Sequence, residues 1–169
     1  MLFTSTFATP LGEMIARAST QGICLLEFSD RPGSGRDLAE PEAHRDADYS
    51  GEPKKHLQAL ERELVDYFAG TLPHFTVPLD LSPGTPFQRS VWEMLLTIPP
   101  GQTTSYGNIA KRLGNSGASQ AVGLANSSNR LAIIVPCHRV VGTGGKLTGY
   151  AGGLERKKWL LRHEGASLF

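Results

Sequence analysis

Cysteine is scarce in this chain, which has only two cysteines, Cys24 and Cys137, among its 169 residues. This count argues against a disulfide framework, and it excludes a four-cysteine zinc site. Long apolar runs are lacking too, since no segment approaches the ~18–20 apolar residues of a membrane helix. The first residues show no basic segment followed by an apolar stretch, so we expect no secretory leader. We therefore expect a globular protein of the reducing cytoplasm, with no membrane partner and no bound metal.

Acidic residues are rare in the second half of the chain. Residues 1–81 carry seven Lys or Arg against thirteen Asp or Glu, a net charge of −6, whereas residues 82–169 carry ten against three, a net charge of +7. A basic half indicates a polyanionic partner such as nucleic acid. Charge alone leaves open a second interpretation, in which the basic half docks on the acidic half.

Residues 1–81 predict a small mixed α/β domain. Alternating apolar segments between residues 3 and 28 predict an antiparallel meander. Residues 31–53 are rich in Gly, Pro and charge, which predicts an exposed loop.

The rest of this domain combines a helix and a strand. Apolar residues at helical spacing predict a helix over 54–69, which Gly70 ends. Alternation over 75–81 predicts a short strand, and Pro78 favours an edge position for it.

Residues 82–169 predict a mostly helical second domain. Thr85 is expected to cap its first helix, whose apolar stripe comprises Phe87, Val91, Met94, Leu95 and Ile98. Two short helices, one ending at Leu113 and one over 118–127, are joined by a glycine-containing turn, which fits a helix-turn-helix. Such helix pairs also occur in proteins that bind no nucleic acid. A last helix is predicted from Glu155 to His163.

Residues 136–139 read Pro-Cys-His-Arg and follow an apolar run. A thiol in that setting is either inert core filling or a nucleophile activated by its surroundings. Side chains of adjacent residues on an extended backbone point in opposite directions, so His138 is expected to act on Cys137 through a bridging water or a bend. A histidine base needs an orienting partner, and Glu164, one of three acids in this half, is the candidate.

The segment around Cys137 resembles the active-site segment of the O6-alkylguanine-DNA alkyltransferases. The resemblance starts from Ile-Val-Pro-Cys-His-Arg-Val-Val with its glycine-rich continuation and covers residues 84–165. Other matching segments, in order and spacing, are Thr85-Pro86-Phe87-Gln88, Val91-Trp92, Ser105-Tyr106-Gly107, Ala121-Val122-Gly123, Asn126, Asn129 and Trp159-Leu160-Leu161. The fold it implies is α/β (α+β), with a small N-terminal sheet domain and a helical C-terminal domain.

This resemblance implies DNA repair by a protein that reacts once. Cys137 would accept the alkyl group of O6-alkylguanine, and of O4-alkylthymine, in double-stranded DNA after the base has been flipped out. Glu164 would orient His138, which would draw the thiol proton through a water. No cofactor is needed, and we expect a monomer.

The resemblance also assigns contacts to the guanine. Tyr106 would donate to N3, and the carbonyls of Cys137 and Val140 would accept from the exocyclic amine. The amide of Ala151 would bond O6, and Tyr150 would line the pocket.

The second helix of the helix-turn-helix would lie in the minor groove, with Asn129 bracing it against the active-site segment. Small side chains on this helix allow close approach to a narrow groove. The residues that would face DNA are Gln120, Ala121, Gly123, Ala125, Asn126 and Ser127.

Gln120 departs from the family pattern, which has an arginine that fills the space left by the flipped base. Glutamine is shorter and uncharged, so we expect weaker stabilisation of the flipped state and slower repair of duplex DNA.

Two alternatives from other classes remain open. One is a lesion-binding protein without transfer activity, like the alkyltransferase-like proteins, although these replace the cysteine. The other is a thiol hydrolase, which the cysteine–histidine pair permits. Of the remaining residues, we expect Trp92 and Trp159 to lie in the core, and the basic run 156–158 to face solvent or phosphate.

Overall fold

The computed structural model describes residues 2–34 and 51–167. The chain divides between Pro83 and Gly84 into two compact units. The first unit is mixed α/β and the second is mostly helical, which confirms the predicted fold class. Most of the predicted loop over 31–53 lies outside the described residues. Within the described ranges, no helix is long and apolar enough to cross a membrane.

Three antiparallel strands form the sheet of the first unit, in the order β1 (Phe3–Thr9), β2 (Gly12–Ala18) and β3 (Ile23–Phe28). Phe3 of β1 lies opposite Ala18 of β2. Every second residue of β2 is fully buried, as in Met14 and Ala16, because side chains of a strand alternate between the two faces of a sheet. The predicted meander is therefore present.

Helix α1 (Glu52–Phe68) covers this sheet and begins two residues earlier than predicted, with Pro53 in its first turn. Its buried stripe repeats at helical spacing and comprises Leu57, Leu60, Leu64 and Tyr67. Gly70 ends the helix with a φ of 77°, a conformation that glycine adopts without strain.

The predicted strand over 75–81 is wrong, because only one isolated bridge forms there, between Leu79 and Ile23. The backbone amide of Thr76 donates to the carboxylate of Glu63 on α1 at 3.0 Å. A helix side chain therefore takes up the hydrogen-bonding capacity that a strand ladder would use.

Over its described residues, the second unit contains four α-helices and a small parallel strand pair: α2 (Pro86–Leu95), β4 (Thr104–Ser105), α3 (Tyr106–Arg112), α4 (Ser119–Ser127), β5 (Val140–Val141) and α5 (Leu154–His163). Helices α3 and α4 pack on each other as the predicted helix-turn-helix. The strand pair was not predicted. It aligns Thr104 with Val140, which places the start of α3 beside the end of the cysteine segment.

Thr85 caps helix α2 as predicted. The cap is a capping box, which was not predicted, in which the side chains of Thr85 and Gln88 bond each other's backbone amides. Val91, Leu95 and Ile98 of its predicted stripe are buried. Phe87 is 41% exposed instead, because it lies in the first turn, which neighbouring elements do not cover.

The two tryptophans of the second unit differ in burial. Trp92 is buried, as predicted, and its indole Nε1 donates to the carbonyl of Ala125 at 2.9 Å, which joins α2 to α4. Trp159 is only half-buried and stacks on His163, with ring centroids 4.7 Å apart, so it does not lie in the core.

Candidate active site

Asn129 organises the segment that leads to the cysteine. Its side-chain Nδ2 donates to the carbonyl of Val135 at 2.8 Å, and its Oδ1 accepts from the amide of Leu131 at 2.9 Å. One side chain therefore joins both ends of the apolar run 131–135. Ile133, in the middle of this run, has a φ of 72°, a conformation that is unfavourable for a β-branched residue. Asn129 thus braces the loop that leads to Cys137.

Cys137–Arg139 forms one turn of 3-10 helix. This corrects the expectation of an extended backbone, because a helical turn and not a strand carries the thiol and the imidazole. Cys137 is 6% exposed and His138 is fully buried. The carbonyl of Cys137 accepts from the amide of Val140 and from Nδ2 of Asn126. Both chemical groups are therefore held in the interior on a short, constrained turn.

His138, Glu164 and Arg139 form a buried hydrogen-bonded group. Nε2 of His138 lies 2.8 Å from Oε1 of Glu164, whose side chain is 2% exposed. Arg139 donates to both oxygens of that carboxylate, each at 2.9 Å, and also to the carbonyl of Ile98. A bidentate contact from arginine both orients a carboxylate and keeps it ionised.

The protonation of this group follows from its surroundings. Burial opposes the charge on Glu164, but His138 and Arg139 outweigh this effect and hold the pKa of the carboxyl well below its usual range. Burial lowers the pKa of His138, against the opposing pull of Glu164, so its ring is neutral near pH 7. The ionised carboxylate can only accept, so Nε2 carries the ring proton. Nδ1, which bonds to no described residue, is therefore the basic nitrogen.

Lys157 is fully buried, which corrects the prediction that the run 156–158 faces solvent or phosphate. Its Nζ donates to the carbonyls of Val140 at 2.6 Å and Thr148 at 3.0 Å. Burial lowers the pKa of Lys157 to about 8, and the charge of Cys137 opposes this shift.

A cavity of about 650 Å³ opens beside the start of α3 and α4, and the residues that line it include Tyr106 and Thr148. The hydroxyl of Tyr106 lies 2.9 Å from Oγ1 of Thr148. Gly142 leaves room for Thr148, because a Cβ at position 142 would approach the Thr148 methyl group to 2.9 Å. The cavity is large enough for a small planar ligand.

The other predicted guanine contacts are distributed around the imidazole. The ring of Tyr150 meets that of His138 edge-on, with centroids 6.5 Å apart, and Ala151 is exposed. The carbonyl of Val140 already accepts from Lys157, so a guanine amine would use its second lone pair.

The predicted DNA-facing residues of α4 separate into two faces. Gln120, Ala121 and Ser127 are exposed and Gly123 is half-buried. Ala125 and Asn126 are buried, at 3% and 5% exposure. The Ala125 carbonyl accepts from Trp92, and the Asn126 side chain donates to the Cys137 carbonyl. Their burial corrects their assignment to the DNA-facing surface.

Sequence reasoning missed the structural roles of Arg139 and Lys157. Lys157 precedes Leu160 and Leu161 at helical spacing on α5, a signal that places it on the buried stripe. The contact of Arg139 with Glu164 joins residues 25 positions apart, which no local pattern indicates. Among the described residues, no group of three or more His, Cys, Asp or Glu could hold a metal ion.

The fold and the site together define a protein that holds a buried thiol and imidazole in the same unit as a helix-turn-helix. The family model described as "6-O-methylguanine DNA methyltransferase, DNA binding domain" matches residues 86–166, and that of the same family's ribonuclease-like domain matches residues 2–81. The chain belongs to the 6-O-methylguanine DNA methyltransferase family.

Individual relatives agree with this family over nearly the whole chain. A methylated-DNA--protein-cysteine methyltransferase of Shigella flexneri is 44% identical over 170 residues, which cover 97% of this chain and 96% of that protein. The crystal structure of Mycobacterium tuberculosis O6-methylguanine methyltransferase is 41% identical and superposes with a TM-score of 0.82, covering 98% of this chain and 93% of the other. The M. tuberculosis protein OGT in complex with DNA is 40% identical, with a TM-score of 0.78 over 98% and 96% of the two chains.

Proposed function

We propose that this protein repairs DNA by moving the alkyl group of O6-alkylguanine, and of O4-alkylthymine, onto the sulfur of Cys137. The reaction is irreversible, so each monomer acts once, and a reducing cytoplasm keeps the thiol available. The buried group of Glu164, His138 and Arg139 beside Cys137 is the observation that carries this proposal. A neutral imidazole with a free basic nitrogen is what a thiol needs in order to lose its proton.

The transfer is a displacement at the alkyl carbon. The thiol proton moves through a water to Nδ1 of His138, and Glu164 stabilises the imidazolium that forms. The sulfur–carbon bond forms while the bond between O6 and carbon breaks, and the released electron pair passes into the purine ring. Tyr106 donates a proton to N3, so guanine leaves as a neutral base, and the proton held on His138 returns to Tyr106 through solvent. No cofactor takes part, because the lesion supplies the alkyl group.

The proposed base contacts are those that the family resemblance implies. The carbonyl of Val140 accepts from the exocyclic amine of guanine, and that of Cys137 does so in place of its long 3.4 Å contact with Asn126. The amide of Ala151 bonds O6, and Tyr150 covers the pocket. Because Cys137 is nearly inaccessible, a base within a duplex has to leave the stack to reach it.

Duplex DNA is bound by the helix-turn-helix, with α4 in the minor groove. The exposed residues of α4 form the contact surface: Gln120, Ala121 and Ser127 face the groove, and Gly123 allows close approach. The net charge of +7 over residues 82–169 supports attraction to phosphates.

A lesion-binding role without transfer is not favoured, because Cys137 is present beside a base and the full-length relatives carry the methyltransferase name. The test is an intact-mass measurement after incubation with an O6-methylguanine duplex or with free O6-benzylguanine. We expect one adduct per molecule on Cys137, and none in Cys137→Ser.

Other outcomes of that measurement contradict the proposal. Binding to the duplex without an adduct would indicate a lesion-binding protein, and repeated cleavage of an ester or amide would indicate a hydrolase. Repair of the duplex by Cys137→Ser would rule out the thiol as acceptor.

A further inference from the structure

The outer face of α4 carries a large apolar side chain that the proposed chemistry does not use. Leu124 is 67% exposed. The other large apolar side chains exposed in the described part of the second unit are Phe87 at 41%, Leu96 at 43% and Leu154 at 46%. Leu124 therefore exposes more of its side chain to water than any of these, on the helix that is expected to face DNA.

Leu124 shares one line of the helix surface with Gln120 and Ser127, because positions i, i+4 and i+7 lie on the same face of an α-helix. The opposite face of α4 is buried through Val122 and Ala125. Leu124 thus projects outward one helical turn, about 5–6 Å, beyond Gln120.

The same two side chains also border the cavity. Gln120 and Leu124 line it together with Tyr106, Gly123 and Thr148. Leu124 therefore lies on the rim between the outer face of α4 and the cavity that Tyr106 lines.

We infer that Leu124 is an apolar wedge, which enters the base stack of duplex DNA beside the flipped nucleotide while Gln120 bonds the partner base. This inference rests on the proposed function. Minor-groove proteins commonly insert apolar side chains, leucine among them, between base steps. In the family, a single arginine is expected to fill the space left by the flipped base. In this chain two uncharged residues would share that role: Leu124 fills the space, and Gln120 offers hydrogen bonds.

The surroundings of Leu124 favour DNA over a protein partner. Its neighbours on the exposed face are Gln120, Ala121 and Ser127, so no contiguous apolar patch forms. Exposed basic residues flank the face, with Lys111 and Arg112 ending α3 and Arg130 following α4. A single exposed leucine among polar, small and basic residues fits the minor groove of DNA, where charged phosphates flank the stacked bases.

The test compares Leu124→Ala with the wild type on an O6-methylguanine duplex and on free O6-benzylguanine. We expect transfer from the duplex to slow at least about tenfold, and reaction with the free base to change less than about twofold. Leu124→Met should restore most of the duplex rate, because methionine is also long and apolar. Leu96→Ala removes an exposed leucine elsewhere in the unit and should leave both rates unchanged.

A second measurement does not depend on transfer. The wild type should bind a duplex that contains an abasic site more tightly than an intact duplex, and Leu124→Ala should lose this preference. Both proteins should show the same dependence of affinity on salt, because leucine releases no counterions.

Equal slowing on duplex and free base would assign Leu124 to the pocket and overturn the wedge, as would unchanged rates on both. If the wild type forms no adduct with either substrate, the proposed function fails. In that case the difference in affinity between the abasic-site duplex and the intact duplex still decides whether Leu124 acts as a wedge.

Discussion

The Cys137 turn and the outer face of α4 lie in the same unit, but they differ in how much the fold constrains them. Around Cys137, His138 and Lys157 are fully buried and their polar contacts come from three separate segments of the chain. On α4, Gln120 and Leu124 are exposed. Changes at the buried group should therefore alter both stability and chemistry, whereas changes on the exposed face should alter DNA engagement alone.

The largest effect is expected from Glu164→Gln, which removes the ionised partner of both His138 and Arg139. General-base assistance contributes about 10²–10⁴-fold, so reaction with free O6-benzylguanine should slow at least about 100-fold. Leaving Arg139 buried without its carboxylate should also cost about 3–5 kcal/mol of unfolding free energy. Single-turnover rates and urea denaturation measure the two effects.

The pH dependence of stability provides a sharper test of this carboxylate. Its pKa is lowered in the folded state, so the stability it contributes is present above its ordinary pKa of about 4.5 and is lost as the pH falls below that value. Glu164→Gln should lose this acid dependence. Glu155→Gln, an exposed acid in the first turn of the same helix, should keep it. An unchanged acid profile in Glu164→Gln would show that the carboxylate is not ionised in the fold.

The next effect concerns Lys157→Met. The folded pKa of Lys157 is about 8, below the ordinary 10.5, so the unfolded chain binds more protons between these two pH values. Between pH 8 and pH 10 the stability of the wild type should therefore rise, relative to the variant, by about 2 kcal/mol. Urea denaturation at pH 8 and pH 10 measures the difference. Lys158→Met, at the neighbouring position, should follow the wild type, and parallel profiles for Lys157→Met and wild type would contradict the buried charge.

The smallest effect is expected from Gln120→Arg on the exposed face. We expect transfer from duplex DNA to become several-fold faster, because arginine fills more space and pairs with DNA more strongly. Reaction with free O6-benzylguanine should hardly change. Ser127→Arg adds the same charge elsewhere on α4 and controls for general attraction to DNA. Equal acceleration on both substrates would refute the role of Gln120 in the flipped state.

A combined variant sharpens the comparison between Gln120 and Leu124. If both residues fill the same gap, Leu124→Ala should cost less in the Gln120→Arg background than in the wild type, because neighbouring substitutions are not additive. Duplex transfer rates of the four proteins measure this coupling. Strictly additive effects would mean that the two side chains act separately.

Local patterns predicted much of the fold, because the interactions that make those elements lie within a few residues. The Thr85 helix cap and the Gly70 helix end are examples. The prediction of a strand over 75–81 was wrong because Glu63, 13 residues earlier in the sequence, accepts a hydrogen bond from the amide of Thr76. The buried face of α4 could not be predicted from the sequence either, because the burial of Asn126 depends on where the Cys137 turn packs.

The amino-acid sequence by itself determined which groups are available for chemistry: a thiol next to an imidazole, a basic second half and a helix-turn-helix with a glutamine where its family has arginine. Only the tertiary structure decided how these groups are held. It bent the chain at Cys137 into a helical turn, joined Glu164 to both His138 and Arg139, and buried the ammonium of Lys157 near the sulfur. Burial and contacts between distant residues set charge states, and neither can be read from neighbours along the chain.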